Sequence, residues 1–199
     1  MKTYFIKSYF PLNLLIIFLF FWFVLAINPT YRDVWFFENI LLIVSLFILI
    51  FSFNKFRFSN LSYFLIFLIG VFQTIGAHYS YSEVPINFIN IFNFERNHYD
   101  RLIHFLFGLL LAYPFYELLT RKNVFKKNSF WAYSFIISCA FATGAIYEIL
   151  EWGYAIYFEE ESATGVLGSQ GDIWDAQKDI LLEGIGAFIT IFIIHIFKK

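Results

Sequence analysis

The sequence carries little charge for its length. Only 15% of its 199 residues are Asp, Glu, Lys or Arg, whereas 60% are apolar. A soluble domain carries about 25% charged residues. A compact soluble fold of this size has too little interior to bury so many Phe, Ile and Leu side chains. The composition therefore excludes a soluble globular protein and predicts an integral membrane protein.

Cysteine is nearly absent. The single Cys139 lies within an apolar segment, which excludes an intrachain disulfide and a Cys-based zinc site. Glycines are few: Gly184 and Gly186 lie in the last apolar segment, and we interpret them as positions of close helix packing.

Long apolar segments run through the whole chain. A membrane-spanning helix needs about 20 mostly apolar residues. Six segments qualify, at residues 9–27, 34–53, 60–80, 101–119, 130–152 and 179–197. We therefore predict an all-α bundle of about six transmembrane helices that forms a single integral membrane domain over residues 1–199. The first segment is long for a signal peptide, so we interpret it as a retained helix.

The basic residues predict the orientation of the helices. Ten of the 14 Lys and Arg residues lie at the N-terminus, in the second and fourth loops or in the tail. Short cytoplasmic loops retain positive charge, so both termini are predicted to be cytoplasmic. Fourteen of the fifteen Asp and Glu residues then fall in outer loops or outer helix ends, and Glu117 is the exception.

Ionisable residues recur at helical spacing at the outer helix ends. Asp100 and His104 share one face of the fourth helix, and Glu148 and Glu151 share one face of the fifth. The head of the sixth helix carries four more carboxylates, Asp172, Asp175, Asp179 and Glu183. Charged groups inside a span cost a few kcal/mol and usually face an interior cavity. We predict that they converge on an acidic and histidine-containing pocket at the extracytoplasmic face.

Structural roles are alternatives for several of these residues. Asp100 and Asp172 stand where helices begin, as N-cap residues do, and Asp175 suits the positive end of a helix dipole. His104 has the alternative of a hydrogen bond to a neighbouring helix. Glu148 and Glu151 lack such an explanation, because they repel each other at a helix C-terminus, where the dipole disfavours negative charge.

Carboxylates crowded into a partly dry site cannot all stay ionised, so they need a cation or protons. Carboxylate and His ligands suit Mg²⁺, Mn²⁺ or Zn²⁺. The candidate metal ligands are Asp100, His104, Glu148, Asp175 and Asp179. The candidate catalytic residues are Glu148, Asp175 and His104, and the supporting polar residues are Arg101, Glu151, Asp172, Gln177 and Lys178.

Three segments carry a resemblance to a known family. They read YDRLIHFLFGLLLAYP at residues 99–114, YEILEWG at 147–153 and GSQGDIWDAQKDI at 168–180. Together they resemble the YjdF-like bacterial inner-membrane proteins, a family defined as a domain of unknown function. More distantly, D-R-x-x-H-F, a later Glu and D-x-x-D-x-x-x-D are similar to the VanZ-like family, some members of which are linked to glycopeptide resistance. That resemblance implies an acidic outer-face site, without a reaction, at Asp100, His104, Glu148, Asp172, Asp175 and Asp179.

Three functions remain open at this point. The first is a non-catalytic factor, in which the polar cluster either has a structural role or binds an envelope lipid or a partner protein. The second is a metal-dependent enzyme acting on a lipid or lipid-linked substrate: Gly171, Asp175 and Asp179 match the second half of the CDP-alcohol phosphatidyltransferase signature, but its first half, D-G-x-x-A-R, is absent. The third is a proton-coupled transporter, in which buried carboxylates relay protons. We expect the lipid bilayer as a partner and no nucleic acid.

Overall fold

The structure is a computed structural model that describes residues 9–85, 96–157 and 169–197. These residues form six α-helices and one 3-10 turn, Tyr81–Glu83, and contain no β-strand. The helices are α1 Phe10–Leu25, α2 Arg32–Ser52, α3 Asn60–Tyr79, α4 Tyr99–Arg121, α5 Phe130–Tyr157 and α6 Asp175–Phe197. The predicted all-α polytopic membrane bundle is confirmed.

Helices α2 to α6 are each long and apolar enough to cross a membrane. Helix α1 is apolar but shorter: its 16 residues extend about 24 Å, against a hydrocarbon core of about 30 Å. Large apolar side chains such as Phe20 and Phe51 point outward and are more than 70% exposed. Such a surface is stable in contact with lipid, because the bilayer is itself apolar.

Helix α3 begins with a cap at Ser59, which a residue of α4 holds in place. Ser59 accepts a hydrogen bond from the backbone N–H of Ser62. Glu117 in turn accepts hydrogen bonds from the backbone N–H of Ser59 at 2.9 Å and from its hydroxyl at 2.9 Å, and also binds Arg121. The acidic residue that stood apart in the charge pattern thus ties the start of α3 to the end of α4.

Glycines allow α4 and α6 to pack unusually close together. A Cβ added at Gly108 would lie 1.8 Å from the carbonyl oxygen of Glu183, and one at Gly186 would lie 2.2 Å from that of Phe105. Gly184 faces the ring of Phe141 on α5 in the same way, at 2.2 Å. The interpretation of Gly184 and Gly186 as packing residues is confirmed. This close approach brings the polar residues of α4 and α6 within contact distance.

Candidate functional site

His104 lies at the centre of a buried polar cluster. Its Nε2 atom is 3.3 Å from Oε1 of Glu148 on α5, and its Nδ1 atom is 3.3 Å from Oε2 of Glu183 on α6. Asp100, one turn earlier on α4, places Oδ1 3.9 Å from Nε2 of His104. The imidazole is only 5% exposed. Carboxylates from three helices therefore flank the imidazole. This arrangement differs from the alternative of a single hydrogen bond to a neighbouring helix.

Three aspartates gather beside this histidine. Asp100, Asp175 and Asp179 are all buried, and one carboxylate oxygen from each lies within 4.8 Å of the other two. Asp179 is 1% exposed, and its Oδ1 atom has no hydrogen-bond partner among the described residues. A buried carboxylate oxygen without a partner is costly, so this atom calls for an explanation.

Two arginines hold the start of α6 against the start of α4. Nη2 of Arg96 donates to both oxygens of Asp175 at 2.6 Å, and Nη2 of Arg101 donates to Oδ1 of Asp175 at 3.0 Å. Arg101 and Lys178 also bind Asp172. The ammonium of Lys178 holds the pKa of Asp172, which lies before α6, well below its usual range, with the N–H of Trp174 and Arg101 adding to the effect. At Asp175, the contacts of Arg96 with both carboxylate oxygens and of Arg101 with Oδ1 fix the orientation of the carboxylate.

A second polar layer lies against the first. Glu38 of α2 is 2% exposed and accepts hydrogen bonds from the Tyr147 hydroxyl and, at 3.4 Å, from Nε2 of Gln73. Nε2 of Gln73 also donates to the Tyr147 hydroxyl at 3.1 Å. The Tyr147 ring packs edge-to-face on the His104 ring, with centroids 5.7 Å apart. Helices α2 and α3 therefore reach the cluster through the ring of Tyr147.

The candidate ligands and catalytic residues lie together, on the interior of the bundle. Asp100, His104, Asp175 and Asp179 are buried, and the Glu148 side chain is 12% exposed. Glu151, proposed as a supporting residue, is buried at 3%. The opening of this cluster toward an outer face stays a prediction, as do the catalytic and metal-binding roles.

The predicted helix caps and two of the supporting residues differ from expectation. Asp100 does not cap α4: the helix begins at Tyr99, its flanking residue is His98, and the N–H of Tyr99 donates to Oδ1 of Asn97 at 3.0 Å. Asp172 does not stand at the start of α6 either, because the helix begins at Asp175; it accepts the N–H of Trp174 at 3.0 Å in the preceding turn and binds Arg101 and Lys178. Gln177 is exposed, and the Lys178 side chain is 46% exposed at the rim of the cluster.

Sequence reasoning gave no role to several residues of the site. In the sequence, Glu38 only interrupts the apolar segment 34–53, and Glu183 only ends the acidic series at the head of the sixth helix. Arg96 and Tyr147 carried no signal, because their partners lie 79 and 109 residues away in the chain. A charge or a hydroxyl that faces the interior of a bundle cannot be recognised before the helices are packed.

The fold and this cluster define a polytopic membrane protein with ionisable groups buried among its helices. The chain belongs to the family described as "Predicted membrane protein (DUF2238)", whose profile matches residues 10–199. It is similar to the inner membrane protein YjdF of Escherichia coli (strain K12), with 33% identity over 160 residues, 79% of this chain and 75% of that protein. No solved structure matches the chain. The YjdF-like resemblance is confirmed; the VanZ-like one stays a prediction.

Proposed function

We propose that the buried cluster binds a divalent cation, Mg²⁺ or Mn²⁺, through Asp100, Asp175 and Asp179. The observation that carries this proposal is the convergence of three buried carboxylates, with Oδ1 of Asp179 lacking a hydrogen-bond partner among the described residues. Hard divalent cations prefer carboxylate oxygens as ligands. A bound cation would satisfy the unpaired oxygen and relieve the repulsion between the three aspartates.

The charge balance of the cluster supports a cation. Its carboxylates outnumber its potential cations, which are Arg96, Arg101 and His104, by seven to three. The carboxylates are Glu38, Asp100, Glu148, Glu151, Asp175, Asp179 and Glu183. Such an excess of negative charge in an apolar surrounding is unfavourable unless a cation or protons neutralise part of it. A divalent ion at the three aspartates would offset two of these charges.

The arginine contacts of Asp175 are compatible with metal binding. A carboxylate offers about four lone-pair positions, so Asp175 can accept from Arg96 and Arg101 and still present an oxygen to an ion. Residues that orient a ligand in this way are typical of the surroundings of protein metal sites. His104 would stand beside the ion rather than on it, because its Nδ1 atom binds Glu183 and its Nε2 atom faces Glu148 at 3.3 Å.

The rim of the cluster points to an anionic ligand. The Arg101 side chain is 17% exposed and the Lys178 side chain 46% exposed, at the end of the bundle where α4 and α6 begin. Basic side chains beside a bound divalent ion bind phosphate groups well. We therefore infer that the protein is a cation-dependent factor that binds a phosphate-bearing envelope lipid or lipid-linked molecule, in the cytoplasmic membrane of a bacterium.

A catalytic role is the second candidate, and the position of His104 favours it. An imidazole oriented by a carboxylate on one nitrogen can accept a proton at the other, as general bases do. Glu183 is placed to orient the ring through Nδ1, while Nε2 lies toward Glu148 and Asp100. With an ion supplying charge to a phosphate group, this arrangement suits hydrolysis or transfer at a lipid-linked substrate.

A proton-coupled carrier has less support. Between the levels of Glu183 and Glu117, the sequences of α4, α5 and α6 contain no Asp, Glu, Lys, Arg or His. A proton relay across the membrane usually uses such residues. The buried carboxylates therefore serve one end of the bundle.

The test is metal binding by purified protein. After treatment with a chelator and its removal, Mn²⁺ binding is measured by calorimetry for the wild type, Asp179→Asn and Glu148→Gln. Asp33→Asn is the matched control, because Asp33 lies in the first turn of α2 and accepts a hydrogen bond from Tyr154 outside the cluster. We expect one ion per wild-type and control chain, and at least tenfold weaker binding for Asp179→Asn. Wild-type protein that binds no Mn²⁺, Mg²⁺ or Zn²⁺ would refute the metal site.

The same variants separate binding from catalysis. Glu148→Gln should still bind the ion, whether the protein is a lipid-binding factor or an enzyme. Glu148 contacts His104 and is not one of the three proposed metal ligands. Turnover of a lipid-linked phosphate that Glu148→Gln or His104→Gln abolishes, with Mn²⁺ affinity retained, would establish the catalytic candidate. Metal-dependent lipid binding without turnover would establish the cation-dependent lipid-binding factor.

A further inference from the structure

Helices α1 and α2 are joined at one end and enclose a cavity toward the other. Near the end of α1, Nε1 of Trp22 donates to Oδ1 of Asn39 on α2 at 2.6 Å, and the Trp22 and Trp35 rings pack 5.3 Å apart. Away from this junction, a cavity of about 570 Å³ lies between the two helices, with α3 as its floor. A volume of this size falls within the roughly 300–1,000 Å³ of ligand pockets.

The wall of the cavity is apolar and elongated. Its lining includes Leu12 and Leu15 of α1, Leu46 and Leu49 of α2, and Phe67 and Gly70 of α3. Along α2 the lining runs from Leu42 to the flanking residue Phe53, which at 1.5 Å per residue is a length of about 17 Å. The hydrocarbon thickness of one leaflet is about 15 Å, half of the roughly 30 Å core. The cavity thus matches one leaflet in length.

The mouth of the cavity is polar and basic. Asn54 and Arg57, in the segment between α2 and α3, line it there. The Arg57 guanidinium lies over the Phe53 ring, 5.1 Å from its centroid. Nη1 of Arg121 donates to the carbonyl oxygen of Arg57 at 2.8 Å, which ties this segment to α4. An arginine positioned at the polar end of an apolar slot complements a phosphate at the end of an acyl chain.

We infer that this cavity is a binding site for an anionic phospholipid, with one acyl chain between α1 and α2 and the phosphate at Arg57. The lipid would belong to the leaflet that borders the α2–α3 segment, which the charge pattern predicts to be cytoplasmic. Anionic lipids are attracted to basic residues at such a boundary. This inference does not rest on the proposed metal site, which lies at the opposite end of the bundle.

The test uses delipidated protein in a non-ionic detergent and native mass spectrometry. The probes are phosphatidylglycerol, phosphatidylcholine with the same chains, and glycerol phosphate alone. Leu46→Trp fills the apolar cavity. Its control is Ile48→Trp, because Ile48 is 62% exposed on the same helix and does not line the cavity. Arg57→Gln removes the basic group at the mouth, whereas Lys55→Gln removes an equal charge that does not line the cavity.

We expect one phosphatidylglycerol per wild-type chain. Leu46→Trp should bind it at least tenfold more weakly and Arg57→Gln about fivefold more weakly, the effect of one basic residue near an anionic lipid. Ile48→Trp and Lys55→Gln should bind as the wild type does. Arg57→Gln should weaken phosphatidylcholine binding less, because the choline ammonium offsets the phosphate charge, and so separates lost charge from lost folding. Equal binding by Leu46→Trp and Ile48→Trp would overturn the inference, as would equal binding of the two lipids or full competition by glycerol phosphate.

Discussion

Replacing Gly108 by Ala perturbs the packing on which the polar cluster depends. The added Cβ would lie 1.8 Å from the Glu183 carbonyl oxygen and 2.9 Å from the backbone nitrogen of Ala187. Both neighbours are backbone atoms of α6, so neither can move by a change of rotamer. Ordinary contact begins at 3.4 Å, so α4 and α6 must separate by about 1.6 Å, the difference between 3.4 Å and 1.8 Å.

The expected destabilisation follows from this displacement. Overpacking of a well-packed interior typically costs about 1–3 kcal/mol, and occasionally more. For a chain of this size, 1 kcal/mol corresponds to a change in Tm of about 2–4 °C. Gly108→Ala should therefore lower the Tm by about 4–8 °C, for a cost of about 2 kcal/mol. It should also weaken Mn²⁺ binding, because Asp100 and Asp179 lie on the two helices that separate.

The measurement is thermal unfolding in detergent, followed by Trp fluorescence, together with Mn²⁺ titration. Gly153→Ala is the matched control, because a Cβ at this position of α5 meets no atom within 4 Å. Its Tm should stay the same or rise, since Ala favours a helix over Gly by up to about 1 kcal/mol. If Gly108→Ala has the same Tm as the wild type, the inference that α4 packs closely on α6 is wrong.

Four further predictions follow from other parts of the molecule. Chelation should lower the wild-type Tm and leave that of Asp179→Asn unchanged, because a ligand selective for the folded state stabilises it by about 2.7 kcal/mol at 100 times its Kd; equal chelator responses would contradict this. Glu117→Gln should lower the free energy of unfolding by about 1–2 kcal/mol, since it weakens the charged cap of α3; an unchanged urea midpoint would contradict it. The folded-state pKa of Asp172 is depressed, so its contribution to stability is present above its ordinary pKa of 3.8 and is lost as pH falls through the depressed pKa; Asp172→Asn should flatten the acid side of the Tm profile relative to the wild type. Reporter fusions near Lys126 and at the C-terminus should both read cytoplasmic, and an extracytoplasmic C-terminus would refute the orientation.

The hydropathy of the chain was sufficient to predict its helices. In lipid, each backbone N–H and C=O must be satisfied by the protein itself, so a long apolar run can only be a helix or part of a closed barrel. The length of the runs then predicted six helices, and the structure has six in the residues it describes. Local spacing also predicted that Asp100 and His104 share a face of α4, because residues four apart are neighbours on any helix. The single-domain organisation stays a prediction.

The tertiary structure alone decided which groups meet. Arg96 binds Asp175, and Glu183 contacts His104, across 79 residues of sequence in both cases. Glu38 reaches the cluster only because Tyr147 and Gln73 lie beside it. Hydropathy places a residue along the membrane normal, but it does not define the rotation of a helix or its register against a neighbour. Here the close fit at Gly108 and Gly186 sets that register for α4 and α6. A Cβ added at these glycines would lie 1.8 and 2.2 Å from backbone oxygens of the other helix, so few other positions would allow the same approach.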